Sequence, residues 1–128
     1  MTKVLKTPWE RLGAISARND LNTIYAKLVS GRGPEEVARV APVLWRNYHD
    51  TGDEEVSFTS RLFRFELKDF AVVDADYCKC VAGYNRELID TVAGTVMWLR
   101  KVLCRANGDD SCVWEYEWTP GSAATLPR

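Results

Sequence analysis

TVMWLRKVLCRANGDDSCVWEYEW, residues 95–118, contains two strand-like runs with a short polar linker between them. Asn107-Gly108 inside that linker is a strong hairpin signal. In the second run Cys112, Trp114, Tyr116 and Trp118 fall at every second position and so share one strand face. In the first run the same alternation puts Val96, Trp98, Val102 and Cys104 together. A hairpin here brings Cys104 and Cys112 near each other at the turn end.

Upstream of this hairpin, CVAGYNRELIDTVAG (80–94) has helical spacing through Val81, Leu88, Ile89 and Val92 and ends at Gly94. Cys78 and Cys80 then stand just before that helix. In VSFTSRLFRFELKDF (56–70), Phe63, Phe65 and Leu67 alternate with Arg64, Glu66 and Lys68, the pattern of a half-buried strand. Thr51-Gly52-Asp53 reads as a turn. Before it, Val37, Val40, Ala41, Leu44 and Tyr48 form a helical stripe. Pro34 suits its first turn, and Pro42 predicts a kink or two short helices. NDLNTIYAKLVSG (19–31) places Leu21, Ile24, Tyr25, Leu28 and Val29 on one helical face, with Asn19 or Asp20 to cap it. The order helix, helix, strand, helix, strand, strand predicts an α+β fold, an antiparallel sheet covered by helices.

The chain of 128 residues has the length of a single domain, expected over 1–118, with a loose tail at 119–128. Its 46% hydrophobic and 27% charged residues are globular proportions. A net charge of −1, with both signs interspersed, argues against a nucleic-acid binder, although Arg61, Arg64 and Lys68 are close in sequence. No run approaches the ~18 apolar residues of a membrane span. The N-terminus lacks the apolar stretch of a signal peptide, so a cytoplasmic location with reduced thiols is expected.

Four cysteines in a reducing compartment are ligands, reactive groups or buried small hydrophobes more often than disulfides. C-x-C followed by C-x7-C is not the spacing of a common zinc finger, and spacing alone favours buried thiols. Cys80 as a nucleophile has nothing activating beside it except Lys79. His49, the only histidine, reads as a helix-end cap or an exposed side chain. Trp45, Tyr48, Phe63 and Trp98, with other aromatics, would line an apolar pocket between helices and sheet, or fill the core. Trp114, Tyr116 and Trp118 offer an alternative role as a dimer face.

Cys78, Gly83-Tyr84, Gly94, Cys104, Gly108-Asp109 and Cys112, taken together, resemble the 4-vinyl-reductase domain family over about Asp69 to Trp118. The same domain type forms the effector-sensing region of phenol-responsive activators. Its larger superfamily includes haem-nitric-oxide sensors and the acyl-chain-binding subunits of TRAPP tethering complexes. The resemblance implies a zinc ion held by Cys78, Cys104 and Cys112. In the phenol sensors a glutamate completes the set, and its position here is Lys101, whose ammonium cannot ligate while protonated. Cys80 or water would then be the fourth ligand, with Lys101 turned away. The function implied is a non-catalytic module, a homodimer, that binds a small apolar molecule or a partner protein. The alternatives are an assembly module of TRAPP type and a reductase or hydrolase. An enzyme should show a polar pocket with a perturbed acid or thiol, whereas a closed apolar cavity favours binding.

Overall fold

The computed structural model describes residues 8–23, 26 and 31–120. Its sheet is built on the hairpin of β3 (Thr95–Leu103) and β4 (Cys112–Thr119), paired antiparallel. The connection is longer than a two-residue turn. A 3₁₀ turn, Arg105–Asn107, ends on Gly108 at φ 99°, a left-handed conformation that suits glycine. Asn107 N–H and Asp109 N–H donate to the Cys104 carbonyl, and the Asp109 carboxylate accepts from Cys104 N at 2.8 Å.

β4 pairs on its other side with β2 (Leu62–Lys68), and β2 with β1 (Asp53–Phe58). The sheet order is β1-β2-β4-β3, with every neighbour antiparallel. β1 is a strand beyond the sequence expectation. Its alternation is disguised, because an inward position is held by the charged residue Glu54. Alternation on β3 also needs correction. Register shifts between Val96 and Trp98 and between Lys101 and Leu103 each insert one extra residue. Val96 and Cys104 face inward as expected, since two shifts cancel. Trp98 pairs with Glu117 on the outer face, and Lys101 pairs with Trp114 on the inner one.

The helices cover one face of the sheet. α3 (Ala75–Val92) starts earlier than the spacing from Cys80 suggests, because Asp74 caps it. The Asp74 carboxylate accepts from Asp76 N at 2.8 Å and Tyr77 N at 3.1 Å. Cys78 and Cys80 therefore lie inside the helix, not before it. α2 (Pro34–Tyr48) runs through Pro42 as one helix instead of splitting in two. α1 (Pro8–Asn22) corrects the expected helix at 19–31, since Asn19 and Asp20 lie in its last turn. Ile24, Tyr25, Leu28 and Val29 of that stripe lie outside the described residues.

α1 meets α3 with backbone against backbone. A Cβ on Gly13 would stand 1.9 Å from the Cys80 carbonyl oxygen, and one on Gly83 2.0 Å from that of Glu10. Only glycine permits so close a crossing. The core between sheet and helices holds Phe63, Phe65, Trp114, Tyr116 and Trp118 from the strands, and Val37, Val40, Leu44, Leu88 and Ile89 from the helices. Trp114, Tyr116 and Trp118 are thus core residues and not a dimer face. The opposite face of the sheet carries ion pairs such as Glu55–Lys68 and Arg100–Glu115, as an antiparallel sheet with one wet face should. No helix among the described residues is long and apolar enough to cross a membrane.

Candidate functional site

Two regions carry chemistry. The first lies at the turn end of the hairpin, where α3 crosses it. The Sγ atoms of Cys78, Cys104 and Cys112 all lie within 4.8 Å of one another, with Cys78 and Cys112 3.8 Å apart. Thiolates spaced around a tetrahedral zinc at ~2.3 Å would be ~3.8 Å apart, so the donor set fits such an ion. Arg105 N–H donates to Cys112 Sγ at 3.4 Å, and the Arg105 guanidinium bonds the Phe70 carbonyl, tying the turn to the loop after β2.

Lys101 stands beside these thiols, with Nζ 4.5 Å from the centre of the Trp114 ring. The expectation that it turns away is corrected by the shift at Met97, which brings it to the inner face. Its charge acts on the thiols. Burial pushes the Cys78 thiol up to about 12, Lys101 opposes this, and the neighbouring thiols add to it. Cys104 is held below the usual thiol range. Burial works against ionisation there, but the backbone N–H groups of Ala106 and Asn107 and the Lys101 ammonium outweigh it. Cys80 is not part of this cluster. Two positions along a helix turn the side chain by roughly 200°, and Cys80 faces the other region.

That second region is a cavity of about 480 Å³, open to solvent on one side and lined by α1, α2, α3 and the start of β1. Leu12 and Gly13 come from α1, Ala41, Leu44 and Trp45 from α2, and Val81 from α3. These give it apolar walls. Tyr48, Tyr77 and Tyr84 add aromatic surface, and Cys80 and His49 reach its edge. Asp20 accepts hydrogen bonds from Tyr48 Oη at 2.8 Å and Tyr84 Oη at 2.7 Å. His49 stacks on Trp45 with ring centres 3.6 Å apart. His49 Nδ1 lies 3.1 Å from the Trp45 carbonyl, so it carries the proton and Nε2 accepts from Tyr77 Oη. Burial pushes the His49 pKa down, against the raising effect of that carbonyl.

Two polar side chains lining the cavity are buried. Glu54 is 7% exposed and Asn85 2%. Glu54 Oε2 makes no hydrogen bond among the described residues. The Tyr116 hydroxyl donates to the Ala82 carbonyl at 2.9 Å, and the Asn85 side chain is a hydrogen-bonding neighbour of the same hydroxyl. Burial pushes the Glu54 carboxyl up to about 8.

Of the aromatics expected at a pocket, Trp45 and Tyr48 line the cavity. Phe63 does not, being fully buried among Phe58, Phe65 and Trp118. Trp98 does not either, lying on the outer face with Arg100 over its ring. Glu54, Asn85, Asp20 and Tyr84 escaped sequence reasoning. The available signals were the inward alternation of Glu54 with Val56, and the spacing of Asn85 four residues from Val81.

The fold is similar to that in a crystal structure of a trafficking protein particle complex subunit 3 from Naegleria fowleri covalently bound to palmitic acid. Identity is 14%, the TM-score is 0.65, and the match covers 87% of this chain and 78% of that one. No family model matches the sequence, and no curated protein matches it. The architecture of this chain is therefore TRAPP-like, in keeping with the order of its elements.

Proposed function

We propose that this protein is a non-catalytic binding module whose cavity takes a small, mainly apolar molecule. The observation that carries this reading is the cavity itself. Its volume of about 480 Å³ falls in the ~300–1,000 Å³ range of small-molecule sites, and its walls are mostly apolar with few polar groups. The palmitic acid bound to the Naegleria protein supports ligand binding as a use of this fold. A relationship to the 4-vinyl-reductase-type sensing domains belongs to the same reading, supported by the meeting of Cys78, Cys104 and Cys112. Those three thiols would hold a structural zinc that clamps α3 to the hairpin, with Lys101 balancing the charge of three thiolates on a dication. A cytoplasmic location belongs to this reading too, since free thiols suit a reducing compartment.

An enzymatic reading has one feature in its favour, the raised Glu54 carboxyl in a cavity. Among the described residues no acid-base or nucleophile partner hydrogen-bonds to that group. Cys80 offers no activated thiol, because burial and then Asp76 and Asp74 push its pKa up. The assembly reading is favoured by Trp9, Leu12 and Ile15, large exposed apolar side chains on α1 that would seat a second copy of the chain.

Native mass spectrometry of the purified protein tests ligand and oligomer together. The binding reading expects a small organic molecule released on activation, from a particle of two chains. A particle of two bare chains, with no uptake of any offered apolar compound, would leave assembly without a ligand role, and a single bare chain would remove both.

A further inference from the structure

We infer that the occupant of the cavity is a protonated amine on an apolar body, its ammonium held by Glu54. This rests on the binding reading and names the ligand class for the same cavity. Its basis is the unequal treatment of the two carboxyl groups there. Asp20 is served by two tyrosine hydroxyls at 2.8 and 2.7 Å. Glu54, equally enclosed, has no hydrogen bond and no ion pair among the described residues. A buried acid without a partner is costly, and a group that joins it in the cavity recovers that cost. No lysine or arginine among the described residues lines the cavity, so a carboxylate ligand would meet two carboxyl groups and no cation. An ammonium would meet Glu54 directly, with the aromatic side chains of Trp45, Tyr48 and Tyr84 among the walls around it.

The binding step balances by releasing one proton. Glu54 enters as the neutral acid, gives its proton to the buffer, and pairs as carboxylate with the incoming ammonium. The other titratable groups facing the cavity are Asp20 from α1, Tyr48 and His49 from α2, and Tyr77, Cys80 and Tyr84 from α3. Tyr116 of β4 and, behind it, Glu10 and Arg86 complete the surroundings. Burial keeps Tyr77, Cys80, Tyr84 and Tyr116 protonated and His49 neutral. Glu54 is then the group that loses the proton.

The test is calorimetric titration of the full chain with octylamine, octan-1-ol and octanoate, in buffers of different ionisation enthalpy at neutral pH. Octylamine should bind about 10- to 100-fold more tightly than the other two, the range of a charge-assisted hydrogen bond. Its binding should release close to one proton. Glu54→Gln should erase both the preference and the proton release while octan-1-ol still binds. Equal binding of all three, or tighter binding of octanoate, would overturn the amine assignment and leave an apolar-ligand cavity. A preference that survives Glu54→Gln, or arises without proton release, would overturn the role of Glu54. Failure of all three compounds to bind would overturn both this inference and the binding reading.

Discussion

The hairpin end and the helix-lined cavity both gather buried ionisable side chains, and they treat them in opposite ways. At the hairpin end, Lys101 and the amides of Ala106 and Asn107 favour the Cys104 thiolate, and Arg105 N–H serves Cys112. In the cavity, Glu54 is just as enclosed, and its carboxylate has no hydrogen bond among the described residues. Buried polar groups are nearly always paired in native proteins. An exception calls for an explanation, and Glu54 lines the cavity between α1, α2 and α3. Satisfied groups hold structure, whereas orphaned ones beside empty volume await a partner. On the proposed reading, that difference separates a clamp from a binding site.

Three experiments press on that comparison. The largest effect should come from Gly83→Ala, since its methyl would meet the Glu10 carbonyl at 2.0 Å. Overpacking against backbone leaves α1 to move away, at a cost of ~3 kcal/mol or more. Urea denaturation should register that loss, and octylamine binding should vanish because α1 is a wall of the cavity. A loss below ~1 kcal/mol would mean that the crossing gives way easily.

A more specific effect should follow Cys104→Ser. With zinc held by three thiolates, the variant should lose its metal, and its stability should fall by more than the ~1–3 kcal/mol of a buried hydroxyl. Octan-1-ol binding should persist. Wild-type protein free of zinc, with a loss inside that range, would reduce the clamp to packed thiols.

The hairpin end was the more legible region. Asn107-Gly108, the alternation from Cys112 to Trp118 and the register of Cys78 all point to the three thiols that meet. The role of Lys101 was hidden because a bulge leaves no mark in the sequence, and one inserted residue at Met97 inverts the facing of Trp98 and Lys101. The cavity was less legible for a different reason. α1 buries Gly13, Ala14 and Ala17, a stripe of small residues that carries little hydrophobic signal, so its true span was missed. Glu54 sits where a core hydrophobe belongs, and pattern reasoning treats such a charge as evidence against a strand. The general α+β class survived these errors because the aromatic strands and α3 determine it.

The central claim is that Glu54 is a buried acid without compensation, and its pH dependence of stability tests this most directly. The carboxyl is raised to about 8 in the folded protein, against an ordinary value of 4.5. A raised acid contributes stability that is complete below its unfolded pKa and is lost as pH rises through the folded one. Chemical denaturation should therefore find the ligand-free wild type and Glu54→Gln similar at low pH, near the ordinary carboxyl value. Above pH ~8 the wild type should be less stable than the variant by on the order of 4 kcal/mol. A stability difference between the two that stays constant across that pH range would contradict the account, since Glu54 would then be ionised and satisfied in the native protein.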